Sequence, residues 1–474
     1  MVNERLGKRL KKLKVKKARD PNGLANILLK PNIAGNDLKK ALLLMCNGIK
    51  EEQIYPEAFE LCDITTIFKK KGSRNNFENY RGIFKLSCIR TILDKLIYLD
   101  KYDHIDSKMS DSNVGARKKR NIRDHLFVVN GIINNVINGK NQDSVDLQIF
   151  DIIKCFDRMW YKETMNGLYD KNVQNDKFSV LCQLNKKSKI SVKSPIGMTA
   201  RFEINENILQ GGQWGPIQCS VEVDEIGKEC MDSGQNLYKY KDCVDVCPLA
   251  MIDDLAAISK CGPESIELNT IINEKIKAKK LEFGPSKCVK LHIKGKKDEC
   301  ECPNLFSETL SEKSEMKKVD SVKYLGDVIS SDGSNTANIA EREKKGVGIN
   351  VQLSSLINEI SLGRHYFDIG LLYRDTNLIN GILFNSEVWY GLRLKEIEIL
   401  EAIDEAFLRK LFGAHSKTPI EALYLESGKI PVRYIIKSRR LMYWWHLVNL
   451  SEDKMLNKFY KAQRNNSVKD DWTT

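Results

Sequence analysis

No stretch of this 474-residue chain is apolar for long enough to cross a membrane as a helix. Nor does it open on a secretory leader, because Met1 to Arg19 is charged rather than apolar. Internal repeats and low-complexity tracts are missing, which excludes repeat architectures. Cysteine is not scarce, with 13 in the chain, but the regular framework of a small secreted domain is lacking. Two close pairs stand out, Cys243 with Cys247 and Cys300 with Cys302. Their C-x3-C and C-x-C spacings fit the usual zinc finger poorly. The expectation is reduced thiols and a reducing compartment.

What is present is ample apolar material, 42% of the residues, in a chain too long for one compact core. Two or three lobes are expected. The net charge is +13, with Lys and Arg spread along the whole chain, so an anionic partner is expected, nucleic acid first. The first segment is the most basic, with Lys8, Arg9, Lys11, Lys12, Lys14, Lys16 and Lys17. It reads equally as a phosphate-binding or nuclear-import segment and as a solvated helix face. Leu38, Leu42, Met45 and Ile49 form a helical stripe, Ile64 to Phe68 reads as a strand, and Ser87 to Leu99 as a helix. Residues from about 335 onward are mostly helical. The charged stretch from Lys294 to Lys318 reads as a surface insertion.

Two short segments carry the chemistry. In Leu147-Gln148-Ile149-Phe150-Asp151-Ile152-Ile153-Lys154-Cys155-Phe156-Asp157 an apolar strand ends in an aspartate and passes into a helix start. In Pro248 to Ile258 the adjacent acids Asp253 and Asp254 interrupt two apolar runs, as at a hairpin tip. Alone, the pair would be an ordinary acidic turn and Asp151 a helix cap. Together in an apolar setting, carboxylates repel and resist ionisation, and a divalent cation removes that penalty. Two such cations can activate an attacking hydroxyl and stabilise a leaving pyrophosphate.

These segments lie in order with others. Phe68-Lys69-Lys70-Lys71-Gly72 and Asn79-Tyr80-Arg81-Gly82-Ile83 come first, and Gln210-Gly211 with Gly215-Pro216 and Ser220 falls between the two acid motifs. Lys280-Leu281-Glu282-Phe283 with Pro285-Ser286-Lys287-Cys288, and then Val322-Lys323-Tyr324-Leu325-Gly326, follow. The set resembles the reverse transcriptases of non-LTR (LINE-like) retrotransposons over about residues 20 to 450. The resemblance implies an α+β right-hand polymerase. Residues 1–60 would be a basic extension and helical lead-in, 61–331 fingers and a palm with an antiparallel sheet, and 332–474 a helical thumb and C-terminal region.

The implied activity is RNA-directed DNA polymerisation from a 3′-hydroxyl, with an RNA template, a DNA primer and deoxynucleoside triphosphates as partners. Binding of the element's own RNA as a ribonucleoprotein, no membrane partner, and residence in nucleus and cytoplasm are also implied. Asp151, Asp253 and Asp254, with the Ile152 carbonyl, would hold two Mg2+, for which Mn2+ is an alternative. Lys69 or Lys70 and Arg81 would hold the triphosphate, and Phe156 would sit under the sugar and oppose a 2′-hydroxyl. Gln210 and Gly211 would approach the template and incoming base. Lys287 would protonate pyrophosphate. Arg433, Lys437, Arg439 and Arg440 would grip the duplex by its phosphates, with Tyr434, Tyr443, Trp444 and Trp445 expected in the thumb core.

Departures from the family's pattern are Met251-Ile252 in place of an aromatic and an alanine, Gly82 in place of proline, and Gly212-Gln213-Trp214. No endonuclease domain, cysteine knuckle or RNase H domain is recognisable. The alternative expectation is therefore a decayed or partial copy that binds nucleic acid without extending it.

Overall fold

The computed structural model describes residues 2–14, 19–139, 142–186, 188–194, 196–204, 208–209, 211–232, 237–246, 248–296, 300–360 and 365–464. Lys16, Lys17, Cys247 and Gln210 lie outside the described residues.

The central sheet has five strands in the order Lys317–Val319, Val289–Ile293, Val145–Asp151, Asp254–Lys260 and Leu249–Met251. Strand Val145–Asp151 is buried on both faces, its polar Asp146 and Gln148 included. Alternation sends Val145, Leu147 and Ile149 to one face. There they pack with helix Ile122–Asn138 and with Tyr443, Leu447 and Phe459 from the chain's end. Phe150 goes to the other face, against Cys219, Val223 and Ile226 of helix Gly215–Asp232 and Leu268 and Ile272 of helix Pro263–Ala278. Helix Gly215–Asp232 is buried over most of its surface, polar Gln218, Ser220, Glu222 and Asp224 included, because it separates two cores. Its Ile217 and Val221, with the preceding Trp214, face a helical layer that includes Leu6, Leu10 and Leu13. The basic N-terminal segment is thus an amphipathic helix, Val2–Lys11, anchored by its leucines.

A second sheet carries the fingers motifs. Strand Leu61–Phe68 pairs antiparallel with Tyr80–Leu86 and parallel with Ser188–Ser194. The stretch 294–318 is not a mere surface insertion. Leu305 and Met316 are buried in the core, and Lys317–Val319 closes the edge of the central sheet. Its charge pattern conceals two anchors and a strand.

The final third packs helices Thr336–Ile360, Leu394–Phe412 and Val432–Val448 around Leu378, Trp389 and Phe407. A buried fork from Arg374 to Asp404, at 2.7 and 2.6 Å, ties this bundle together. It joins the central sheet through the hairpin Ser321–Ser330, whose turn residues Leu325 and Gly326 are both left-handed, as tight hairpin turns require. Just beyond that turn, buried Asp327 accepts from Trp389 Nε1 at 3.0 Å and pairs with Arg342.

Candidate active site

Strand pairing gathers the acids. Asp254 stands directly opposite Asp151 across the antiparallel ladder, and opposite Met251 on its other side. Facing residues in such a ladder hold their Cβ atoms about 4.5–5.5 Å apart. Asp253 occupies the second position of the two-residue turn between strands. The first, Ile252, has φ +60°, a left-handed conformation that favours glycine and is strained for a β-branched side chain.

Burial and mutual repulsion act together on these groups. Burial pushes Asp254 up to about 6, and the charges of Asp253 and Asp151 add to the effect, with Lys287 opposing. Asp253 is raised too, first by burial and then by Asp151, while Lys287 and Arg81 pull it down. Lys287 Nζ lies 2.6 Å from Asp151 Oδ2. An ammonium thus stands against the acids where a cation is most favourable. The three acids are neighbouring hard-oxygen donors whose mutual repulsion Lys287 relieves only in part. That set fits divalent metal ions of the magnesium kind.

A segment that sequence reading missed holds the turn. Ser112–Gly115 runs beside Ala250, with Ala250 N donating to Ser112 O and Val114 N to Ala250 O, both at 3.0 Å. Asn113 Nδ2 donates to Ser220 O, and Ser220 Oγ contacts both Asn113 Oδ1 and Gly115 O, each at 2.8 Å. A Cβ on Gly115 would lie 2.6 Å from Ile252 N and 2.7 Å from Ser220 Oγ. Only glycine lets the two backbones meet there. Behind this segment, buried His125 contacts Ser112 O through Nε2 at 2.8 Å. In the sequence the segment shows only as Asn-Val-Gly ahead of a helix, a pattern shared by ordinary surface turns.

Gly284 closes the site from below. Its N–H donates to Asp151 O at 2.8 Å, and a Cβ there would approach Asp151 Oδ2 at 3.4 Å. Ile152 bridges Phe283 in the same crossing, and Phe283 packs on Phe150 with ring centroids 4.7 Å apart.

The structure places the other expected residues unequally. Arg81 is exposed on strand Tyr80–Leu86 and within electrostatic reach of Asp253, with no ion pair among the described residues. Lys69 instead donates to Glu78 O at 2.7 Å, and Lys70 is an exposed left-handed turn residue. Lys154, overlooked in the sequence, reaches Glu78 Oε1 at 3.1 Å and links the fingers turn to the acid strand. Phe156 is half-buried, with Gly215 beside its ring. Asp157 is exposed on the short helix Cys155–Arg158 and faces Lys154 and Lys69 rather than Asp254. Gly211 has φ +110°, and a Cβ there would meet Phe84 O at 2.8 Å. Trp214, unusual in the sequence, is a core residue set edge-on to Tyr98.

The thumb expectations need correction. Arg433 forks onto Glu401 at 2.7 and 2.5 Å, Arg439 binds Asn380 and Leu383 O, and Arg440 binds Trp389 O. These guanidinium groups join elements of the bundle to one another through its carboxylates, amides and carbonyls. Tyr443 is core, as expected, but Tyr434, Trp444 and Trp445 are exposed.

The sequence matches the reverse transcriptase (RNA-dependent DNA polymerase) family over residues 68–329, more than half of the chain. No curated protein matches it. Among solved structures it is similar to telomerase from Candida albicans in complex with a TWJ fragment of telomeric RNA, at 9% identity and a TM-score of 0.42. That alignment covers 79% of this chain and 66% of that one. It is also similar to apo telomerase from Candida tropicalis, at 13% identity and a TM-score of 0.42, covering 88% and 73%. A form of the latter truncated from its C-terminal domain gives 13% identity, a TM-score of 0.36, and 61% and 58% coverage. The chain thus spans just under two thirds of the first of these.

Proposed function

Because the chain belongs to the reverse transcriptase family, we propose that it is an RNA-directed DNA polymerase, that of a non-LTR retrotransposon, with its site at Asp151, Asp253 and Asp254. The observation that carries the site assignment is the pairing of Asp151 with Asp254 beside the turn that holds Asp253. Two Mg2+ ions held there would favour ionisation of the primer 3′-hydroxyl for attack and offset the charge that develops on the leaving pyrophosphate. Asp151 and Asp253 are the principal ligands, with Asp254 and the Ile152 carbonyl beside them.

The protein's own groups do the rest. Arg81 holds the triphosphate, its guanidinium exposed and within electrostatic reach of Asp253. Lys69 and Lys70 are the secondary contacts, Lys69 after release from Glu78. Lys287 donates a proton to the departing pyrophosphate once it leaves Asp151. Phe156 supports the sugar and opposes a 2′-hydroxyl by overlap. Gly211 lets the template-side backbone close on the incoming base, and Gln210 belongs to the same contact. An element RNA bound as a ribonucleoprotein, and a nuclear and cytoplasmic itinerary, complete the proposal.

Primer extension on an RNA template tests it. The parent should extend with deoxynucleotides and Mg2+, while Asp253→Asn should lose extension and keep hybrid binding. Extension by Asp253→Asn at the parental rate refutes the site. Hybrid binding by a parent that never extends identifies a decayed relic.

A further inference from the structure

A second cluster of metal-ligating side chains lies on the same acid strand, at its opposite end. Asp146 and Asp151 are five residues apart, about 17 Å along an extended strand. Asp146 faces His292 in register on strand Val289–Ile293, and His292 Nδ1 lies 2.8 Å from Asp146 Oδ1. Cys261, one residue beyond strand Asp254–Lys260, is fixed by its N–H to Ser144 O at 2.9 Å. Donor atoms of Asp146, Cys261 and His292 all lie within 4.8 Å of one another. The chain then returns two more thiols. Cys300 Sγ is 2.8 Å from Cys261 Sγ, and Cys302 Sγ is 3.9 Å from Asp146 Oδ1. Asp146 is fully buried, and its Oδ2 has no hydrogen bond among the described residues.

We propose that Cys261, Cys300, Cys302 and His292 bind one structural zinc ion, with Asp146 orienting the imidazole. Three thiols and an imidazole are the donor set of a closed tetrahedral zinc site, whose sulfur atoms stand about 3.8 Å apart when metal–sulfur bonds are about 2.3 Å; Cys300 would therefore draw back from Cys261, and Cys302 swing in from Asp146, on binding. The carboxylate behind a ligating histidine is the usual outer partner of such sites. Soft sulfur donors also separate this site from the oxygen-only acid cluster. The pair of cysteines in C-x-C spacing is half a site, and the sheet supplies the other half. Its place gives it work to do. It would fasten the segment after Ile293, which leads to the core anchor Leu305 and the edge strand Lys317–Val319.

The test begins with the purified full chain, assayed by inductively coupled plasma mass spectrometry. One zinc per chain is expected in the parent and in Asp253→Asn, and none in Cys261→Ser/Cys300→Ser. In case that variant fails to fold, the parent is also read directly. Replacement of zinc by Co2+ should give thiolate-to-cobalt charge-transfer absorption. Mass-mapped alkylation should find Cys261, Cys300 and Cys302 protected until a chelator is added. Asp146→Asn should keep the cobalt–thiolate absorption while weakening zinc affinity roughly 10–100-fold. A folded parent without zinc, zinc protecting other cysteines, or a Cys261–Cys300 disulfide in its place would each overturn the proposal.

Discussion

Asp254→Asn should make the metal-free protein more stable at neutral pH, although it removes a proposed metal-binding group. In the metal-free fold Asp254 faces Asp151 across the ladder and follows Asp253 directly, with no side-chain hydrogen bond among the described residues to offset its burial. Its carboxyl is raised from an ordinary 3.8 to about 6, first by burial and then by the two neighbouring acids. A gap of about two pH units corresponds to about 3 kcal/mol. The site opens to solvent, which screens such terms, so about 1–2 kcal/mol is the figure to expect.

The sign follows from which state holds the proton. The folded protein keeps it to higher pH than the unfolded chain does, so ionisation favours unfolding. The cost is absent below pH 4, grows between pH 4 and 6, and is complete above 6. Thermal unfolding in chelator, followed by circular dichroism, reads this out at about 2–4 °C per kcal/mol for a lobe of 150–250 residues. The variant should melt a few degrees above the parent at pH 7 and with it at pH 4. Added Mg2+ should reverse the order, because it stabilises only the parent's full set of acids. A variant that melts below the parent at pH 7 without metal would refute the account of mutual repulsion.

Gly115→Ala should slow extension by about 100-fold, because its Cβ displaces the turn that holds Asp253; single-turnover rates in a variant that still binds hybrid would show it. Phe156→Val should raise the ratio of ribonucleotide to deoxynucleotide efficiency, and an unchanged ratio in an active variant would leave Phe156 a packing residue. His125 is buried and held down from 6.5 to about 4 by that burial. Its contribution, about 3 kcal/mol, is complete above pH 6.5 and lost as pH falls toward 4. His125→Gln should therefore flatten the acid limb of the stability profile over that window, and a parallel limb would refute the assignment.

Much of the fold was legible because burial leaves simple marks. Strand Val145–Asp151 reads as a strand through Val145, Leu147, Ile149 and Phe150, and the acid turn reads as a hairpin because apolar runs flank it. What failed to read depends on contacts distant in sequence. Leu61–Phe68 pairs with Ser188–Ser194 across more than a hundred residues, and Ser112–Gly115 matters only through Ile252 and Ser220. Cys300 and Cys302 looked unlike a metal motif because their companions sit on neighbouring strands rather than in the next few positions.

The same limit changes what the +13 charge means. A basic residue in a sequence does not say whether its partner is a phosphate or a carboxylate. Arg90, Arg117, Arg342, Arg374 and Arg433 all spend their forks on acids or carbonyls of this chain. That is where a planar, bidentate cation is best placed, since its geometry survives loss of water. Of the charges assigned to the triphosphate and the duplex, Lys69, Lys70, Arg81, Arg433 and Lys437 are exposed, and Arg433 is already engaged by Glu401. Contact with phosphates should therefore come mainly from lysine, a mobile point charge that costs little to leave in solvent. Such binding follows the backbone and is weakened by salt, and it carries little register of its own.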